Sequence, residues 1–398
     1  MSSENRVNHF LYVDIMRGLA AMYVVLHHAT QTVTVQSRSV WQAIHAIFGG
    51  GGFAVDVFIV LSGFSLGVSY WSGKYDGYRN YLARRAMRIL PPYFITCAIS
   101  LLLIYTVIDD LPGTKWQNSR TVTPASVVWH AVLLHDWFPA YWWQINYVLW
   151  SVAVEWKIYF LLPLIGIFIA RAGQLPALLA IGATTYTAWF AIYHFNVLNP
   201  GPHGVDPYYI WLFALGMASV RAIFNHTDQI ELNEVRSAWV KMAIVTFISV
   251  SAVVAIRKFF PLNAAAQVQS AFVGMWAAML LYCLGITEKI GINYGRAARS
   301  MAKLGAFGYS LYLIHPILVQ LIWQWVFIPL GWTGESSILG MVVLSALLIP
   351  PITYVFYLLC ERPFHNMSRR IGRPKSYAAA ILVSDGNRLP RFGQGDRA

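Results

Sequence analysis

Apolar blocks close to twenty residues long recur along this chain. A helix of that length spans the hydrocarbon core of a bilayer, and only helices and closed barrels satisfy their backbone hydrogen bonds in lipid. We therefore predict an all-α, polytopic membrane protein with about ten transmembrane helices. The predicted spans are residues 10–34, 47–71, 90–108, 147–170, 174–194, 207–225, 239–256, 268–287, 306–330 and 337–360.

The composition excludes two other classes of protein. Hydrophobic residues make up 57% of the 398 residues and charged residues only 12%, whereas a soluble domain is about one quarter charged. This balance excludes an ordinary cytosolic enzyme and a disordered chain. Cys97, Cys283 and Cys360 lie in or beside apolar blocks and form no CxxC motif, and we predict no metal site.

The net charge of +12 is explained by membrane orientation, and we predict no nucleic-acid partner. Cytoplasmic loops of membrane proteins carry an excess of Lys and Arg. With the N-terminus in the cytoplasm, the outside loops hold only five basic residues: Arg38, Lys115, Arg120, Arg257 and Lys258. We predict that both termini are cytoplasmic, that residues 1–364 form the transmembrane domain and that residues 365–398 form a basic cytoplasmic tail.

The first predicted span contains the clearest set of ionisable residues. Such residues are expensive inside a membrane and are functional candidates by default. Asp14 and Arg17 are three residues apart and can pair on one helix face. Arg17 and His28 are eleven residues apart, close to three full turns, so their side chains share a face. A histidine bonded to a neighbouring helix is the structural alternative for His28.

Three other spans carry ionisable residues at a similar predicted depth. The predicted span that carries Glu155, with Ser151 four residues earlier, enters the membrane from outside. The span that carries Asp56 also enters from outside. His315 enters from the cytoplasmic side. Together with His28, these residues predict one polar cavity near the middle of the membrane.

Each of these residues also has a structural alternative. Glu155 can pair with Lys157 or extend to the interface. His315 can bond to backbone groups that Pro316 leaves free. Asp56 can act as a helix-terminal cap.

A basic stretch precedes the third predicted span. Arg84, Arg85 and Arg88 follow helical spacing, and arginine side chains suit phosphate oxygens because their planar donors match them. The alternative is an anchor on anionic lipid. Pro91 and Pro92 follow, and we expect them to stop or kink the helix.

The longest outside connection, residues 109–146, is rich in aromatic residues. Some must form the interfacial belt typical of membrane proteins, but their density also fits a platform for sugar rings, with Trp142 and Trp143 as candidates. Its short apolar stretch, residues 125–134, is too short to span a bilayer and predicts a helix lying in the interface.

Read in order, these segments resemble the acyltransferase family 3 proteins, which are integral-membrane O-acyltransferases. DIMRGLAAMYVVLHH resembles the family's arginine–histidine motif, with Arg17 and His28 in those places. RRAMRILPPYF resembles its RxxR motif through Arg85 and Arg88. The resemblance covers nearly the whole chain.

Further motifs extend the resemblance. YVLWSVAVEWKIYFLLPL is similar to the family's serine-to-glutamate motif, with Ser151 and Glu155. FIVLSGF, GYSLYLIHP and ERPF are similar to its second-helix and late motifs. The family often has a second acidic or amide residue after the serine motif, and Trp156 stands there in this chain.

The resemblance implies transfer of an acyl group, usually acetyl from cytoplasmic acetyl-CoA, to a hydroxyl of a carbohydrate outside the cytoplasmic membrane. It also leaves open a glycan synthesis or export complex as a partner. The resulting hypothesis is that Arg85 and Arg88, with Arg84 beside them, hold the CoA phosphates. His28 then acts as the general base, since an imidazole can take a proton at neutral pH.

The remaining candidates have supporting roles in this hypothesis. Asp14 and Arg17 order the first helix or contact the donor, and Glu155 orients His28 or binds the acceptor. Ser62, Ser151 and His315 are candidates for the oxyanion donor. Direct transfer and an acyl-histidine intermediate both remain open. The competing hypothesis is a proton-coupled transporter with His28, Glu155 and His315 as the relay.

Overall fold

The computed structural model describes residues 10–35, 39–110, 114–195, 205–226, 230–259, 262–291 and 294–372. Throughout these ranges the secondary structure is helical and contains no strand, which confirms the all-α prediction. The helices are α1 (Leu11–Thr30), α2 (Val40–Ile47), α3 (Gly51–Trp71), α4 (Tyr78–Thr106), α5 (Trp116–Ser119), α6 (Pro124–Ala131), α7 (Leu149–Tyr159), α8 (Leu162–Ala172), α9 (Gln174–His194), α10 (Tyr208–Asn225), α11 (Leu232–Phe259), α12 (Leu262–Lys289), α13 (Arg296–Ala306), α14 (Gly308–Ile322), α15 (Ser337–Phe356) and α16 (Arg362–Ser368). A 3₁₀ turn covers His135–Trp137, and single π-helical stretches extend α14 over Trp323–Phe327 and α15 over Tyr357–Glu361.

Seven of the described helical segments are long and apolar enough to cross a membrane, and the bent pair α7–α8 makes an eighth if it counts as one span. The chain is therefore a multi-pass membrane protein. Two of the ten predicted spans, now α1 and α10, are not in that set. Both pack inside the bundle, and α1 carries the ionisable residues Asp14, Arg17, His27 and His28.

Small residues bring the central helices into close contact. A Cβ atom on Gly18 of α1 would lie 2.8 Å from the backbone nitrogen of Gly305 in α13. Likewise, a Cβ on Gly63 of α3 or Gly216 of α10 would collide with backbone atoms of the facing helix. Close backbone approach at small residues is typical of membrane helix packing. These contacts fix α1 and α3, which carry much of the site described below.

Of the two effects expected of Pro91 and Pro92, a stop or a kink of the helix, the stop does not occur. Helix α4 begins before them and continues through both prolines to Thr106. Membrane helices tolerate prolines because neighbouring groups satisfy the freed backbone, and Pro92 and Tyr93 are buried against the rest of the bundle. The arginines of the basic stretch therefore lie on the same continuous helix as the span.

The predicted span 147–170 is instead broken between α7 and α8, with a bend of 54°. Pro163 lies at the start of α8 and has no N–H to donate to the Tyr159 carbonyl four residues earlier. The Tyr81 hydroxyl of α4 donates to that carbonyl instead, at 3.1 Å. The bend thereby holds α7 against the basic part of α4.

The outside connection contains the short helix predicted there, now α6, which begins with a capping box between Thr123 and Ser126. At the other end of the chain, α16 crosses the predicted boundary between domain and tail and packs against α4. Residues 373–398 of the predicted tail lie outside the described residues.

Candidate active site

A cavity of about 120 Å³ lies between α1, α3, α4, α7, α13, α14 and the π-helical end of α15. We call it the inner cavity. Its wall combines apolar residues with five ionisable side chains, namely Arg17, Arg85, Arg88, Glu155 and Glu361. Asp14 pairs with Arg17 beside this wall, so the positive charges that an anionic ligand can meet there are those of Arg85 and Arg88.

Arg17 is held in the inner cavity by neighbours on two helices. Its Nη1 donates to Asp14 Oδ1 at 2.8 Å, so the ion pair predicted from their spacing is present. Its Nη2 donates to Ser65 Oγ of α3 at 2.9 Å. With both nitrogens bonded, the guanidinium is fixed in one orientation.

The three arginines of the basic stretch divide into two environments. Arg84 forms a two-armed ion pair with Asp76, at 2.7 and 2.5 Å, on the protein surface. This bond holds the pKa of Asp76 below its usual range. Arg85 and Arg88 instead line the inner cavity, and Arg85 Nε is buried without a hydrogen-bond partner among the described residues. Neither is within 4 Å of a described carboxylate.

Glu155 faces the inner cavity and not His28. It accepts a short hydrogen bond from Tyr159, whose hydroxyl also lies 3.1 Å from Ser62 Oγ of α3. Lys157 pairs with Asp136 of the outside connection, so the alternative of a Glu155–Lys157 pair was wrong. Glu155 is therefore anchored on the cavity wall by a tyrosine.

A hydrogen-bonded pair closes the inner cavity at its far end. Ser151 Oγ and the Tyr312 hydroxyl lie 2.7 Å apart, and both contact the Val148 carbonyl, at 3.2 and 3.1 Å. The Tyr312 ring then contacts His315 at a centroid distance of 5.8 Å. This pair separates the inner cavity from the histidines beyond it.

His28 lies in a stack of rings past this partition. Its imidazole stacks on His315 of α14, with centroids 5.2 Å apart, and meets the Tyr147 ring edge at 5.0 Å. His315 Nδ1 donates to the Leu311 carbonyl at 3.1 Å. A carbonyl can only accept, so Nδ1 carries the hydrogen and Nε2 is bare. The His315 Nε2 atom is buried and has no partner in the part of the chain that the structure describes.

His28 also lines a second, smaller pocket, which we call the outer pocket. Its other lining residues are Gln31, Thr32, Thr114, Lys115, Trp116, Tyr147, Val319 and Gln320. The outside connection reaches this pocket because Trp116 Nε1 donates to the Pro316 carbonyl at 3.0 Å. Gln320 Nε2 is buried there, and no described group accepts a hydrogen bond from it.

The ionisable residues predicted to share one cavity are divided in the structure. His28 and His315 meet, but Glu155 lies with Arg17 in the inner cavity, so the three-residue proton relay is not continuous through direct contacts of described residues. Asp56 is buried and lines neither space. The rotation of α3 explains this position. The face of α3 that borders the inner cavity carries Val55, Phe58 and Ile59, and Asp56 lies off that face.

Trp142 and Trp143 line neither space either. They pack against each other at 4.1 Å in the outside connection, with Trp142 buried. Among the residues at the site that had not been singled out from the sequence are Lys115, Tyr159, Tyr312 and Gln320. Lys115 had one available signal, because it is among the few basic residues predicted to lie outside, and Tyr312 stands one turn before His315.

No group of three or more His, Cys, Asp or Glu residues in the described part of the chain is arranged to hold a metal ion. The side chains that line the two spaces offer three arginines, two carboxylates, one histidine, one lysine, amides and hydroxyl groups. The Ser151–Tyr312 pair and the stacked His28 and His315 rings lie between the inner cavity and the outer pocket. Two spaces arranged in this way suit the transfer of a chemical group between two substrates.

Residues 10–359 match the model of a known family, described as an acyltransferase domain. The chain belongs to this acyltransferase family. Nodulation protein 10 of Rhizobium leguminosarum bv. viciae is 21% identical over 87% of this chain and 93% of its own length. Acyltransferase MdmB of Streptomyces mycarofaciens is 23% identical, over 77% of this chain and 78% of its own.

A third relative, Protein 2 in picA locus of Rhizobium radiobacter, is 26% identical over 39% of this chain and 79% of its own length. No solved structure matches the chain. Family membership and the membrane-spanning helices together identify a multi-pass membrane acyltransferase.

Proposed function

We propose that this acyltransferase moves an acetyl group from cytoplasmic acetyl-CoA to a hydroxyl of a carbohydrate on the outer side of the cytoplasmic membrane. The observation that carries the proposal is the pairing of two spaces that ring contacts connect, from Tyr312 of the inner cavity through His315 to His28 of the outer pocket. One is lined by three arginines and the other contains a histidine.

The inner cavity fits the donor. Coenzyme A carries several phosphate charges, and arginine is the residue best matched to phosphate oxygens. Arg85 and Arg88 are available for this role because no described carboxylate lies within 4 Å of either. Arg17 is already held by Asp14 and Ser65 and acts as a fixed positive charge in the wall.

The reaction is an acyl transfer through His28. The imidazole takes the proton of the acceptor hydroxyl as its oxygen attacks the thioester carbonyl. The new acyl–oxygen bond forms, the carbon–sulfur bond breaks, and the proton passes from His28 to the departing CoA sulfur. The oxyanion formed between these steps needs a donor, and the Ser151 hydroxyl at the partition can supply one. His315 cannot, because it donates its Nδ1 hydrogen to the Leu311 carbonyl and its Nε2 is bare.

The partition must open for this step. Ser151 and Tyr312 are bonded to each other across the line from the inner cavity to His28. We infer that the thioester end of the donor replaces this bond when it arrives. Such coupling protects the thioester, because the carbonyl reaches His28 only when the donor is seated.

The outer pocket fits the acceptor hydroxyl. It contains amide and hydroxyl side chains from Gln31, Thr32 and Gln320 beside His28, and such groups fix small polar ligands. The carbohydrate class rests on the family resemblance, as do the inner-membrane location and a glycan synthesis or export complex as the partner.

The test measures free CoA thiol released from acetyl-CoA by the purified protein in detergent, with and without a mixture of simple glycans. We expect turnover by the natural chain and loss of it in His28→Gln. His27→Gln is the matched control, because the neighbouring His27 bonds to the Phe48 carbonyl through Nδ1. Equal turnover by His28→Gln and the natural chain would contradict the proposed role of His28. No acetyl-CoA binding by a folded preparation would contradict the donor.

A further inference from the structure

Lys115 lies within hydrogen-bond distance of His28. Its Nζ is 3.2 Å from His28 Nδ1 and 5.7 Å from the centre of the Tyr147 ring. It reaches this position from the outside connection, which Trp116 ties to α14. Its hydrogen bond therefore joins the connection to the histidine of the proposed reaction.

The described surroundings of Lys115 contain no compensating charge. The titratable groups that face it are His27 and His28 on α1, His315 on α14 and Tyr147 before α7. No carboxylate of the described residues pairs with it. An amine that is removed from water without an anionic partner favours its uncharged form.

The direction of this hydrogen bond decides what His28 can do. A charged ammonium has only hydrogens to offer, so it donates to Nδ1, and the neutral ring then carries its hydrogen on Nε2. That ring cannot take a proton through Nε2. A neutral amine can accept from Nδ1–H, and Nε2 is then bare and able to act as the base.

We propose that Lys115 is a positioning residue that selects the reactive tautomer of His28, by accepting its Nδ1–H when the amine is neutral. The proposal rests on the proposed function for its catalytic meaning. When the amine gains a proton, it becomes the donor to Nδ1, and the ring hydrogen moves to Nε2. One proton is taken up, and His28 stays neutral in both states.

The protonation of Lys115 gives the sign of the pH dependence. Burial lowers the pKa of Lys115 to about 8. Above this pH the amine is neutral and His28 is the base, and activity is lost as the pH falls through about 8. In a catalytic triad, holding the histidine in the wrong tautomer costs about 10⁴ in rate, so the effect is expected to be large.

The experiment compares pH–rate profiles of acetyl transfer for the natural chain, Lys115→Arg and Lys115→Met. Lys258→Met is the control, because Lys258 is an exposed lysine at the end of α11. The guanidinium introduced by Lys115→Arg stays charged at every accessible pH, so we expect this variant to be at least ten-fold slower across the whole range. Lys115→Met should be slower than the natural chain and lack the limb near pH 8.

A second measurement does not depend on turnover. Nitrogen chemical shifts of ¹⁵N-histidine-labelled protein, assigned with His28→Gln, report which nitrogen of His28 is protonated. We expect the hydrogen on Nδ1 above pH 8 and on Nε2 below it, and no such change in Lys115→Met. A tautomer that does not change with pH in the natural chain, or a natural profile in Lys115→Arg, would overturn the proposal. A tautomer change without acetyl transfer would instead count against the proposed function.

Discussion

The inner cavity and the outer pocket differ in how their polar groups are satisfied. In the inner cavity most fixed charges have partners: Arg17 bonds to Asp14, Glu155 to Tyr159, and Glu361 to the Ser310 backbone and hydroxyl. Arg85 and Arg88 of α4 form no ion pair with a described residue. In the outer pocket, no described carboxylate pairs with Lys115, and no described group accepts from the Gln320 amide nitrogen.

This difference supports the proposal that the two spaces bind different substrates. A wall of paired charges is rigid before any ligand arrives, and rigidity favours tight binding of a large, highly charged ligand. A small pocket with unsatisfied donors is completed by its ligand. The donor is thus expected to gain affinity from the inner cavity, and the acceptor to gain reactivity from the outer pocket.

The variant with the strongest predicted effect, His28→Gln, should change the rate of acetyl transfer without changing the binding of the donor. His28→Gln should lower the rate of acetyl transfer by about 100-fold or more, since general base catalysis contributes about 10²–10⁴. Binding of acetyl-CoA should stay within about two-fold of the natural chain, because His28 lies outside the inner cavity. Calorimetry beside the rate assay checks both. Loss of acetyl-CoA binding in this variant would contradict the assignment of donor binding to the inner cavity and of the reaction to the outer pocket.

The next effect concerns the donor side. Arg85→Gln and Arg88→Gln should each raise the KM for acetyl-CoA by roughly ten-fold to a hundred-fold, the equivalent of one charge-assisted hydrogen bond of about 1.5–3 kcal/mol. The KM for the acceptor should change little. Steady-state kinetics with each substrate varied in turn measures this. A rise confined to the acceptor would reverse the assignment of the two spaces.

A smaller effect is expected at the partition. Tyr312→Phe removes the bond to Ser151 and should raise acetyl-CoA hydrolysis without acceptor by a few-fold, since one neutral hydrogen bond contributes about 0.5–1.5 kcal/mol. Tyr309→Phe is the matched control, because Tyr309 also lines the cavity but donates to the Ile89 carbonyl. Equal hydrolysis in the two variants would remove the partition from the mechanism.

The smallest effect should come from Arg84. Its pair with Asp76 is partly exposed, with side-chain exposures of 22% and 33%, and surface pairs contribute about 0–1 kcal/mol. Arg84→Gln should therefore leave the KM for acetyl-CoA unchanged and lower the thermal midpoint only slightly. A KM as high as that of Arg85→Gln would return Arg84 to the donor site.

Several parts of the site follow from short-range spacing, which explains why they were predictable. The pair of Asp14 and Arg17 depends only on a three-residue step along one helix. Arg85 and Arg88 face the same space for the same reason. The helix carrying them does not stop at the two prolines, which was one of the two effects expected there, because packed neighbours stabilise a proline-containing helix.

Other parts depend on contacts between distant segments. The position of Glu155 depends on how α7 is held against α4. Tyr81 of α4 donates to the Tyr159 carbonyl, which Pro163 leaves without a backbone donor. The position of Lys115 depends on Trp116 reaching the Pro316 carbonyl, which joins residues about two hundred apart in the chain. No periodicity in the sequence contains either contact.

The apolar blocks of the chain were enough to specify a membrane protein built of helices, because bilayer thickness and backbone hydrogen bonding in lipid permit few other structures for blocks of this length. The ordered motifs also identified the family and most of the candidate residues. Which of those residues meet depends on the packing of the helices in three dimensions. The reason is that a helix position fixes a side chain's face relative to its own helix alone, whereas the rotation and packing of each helix against its neighbours decide which space that face borders.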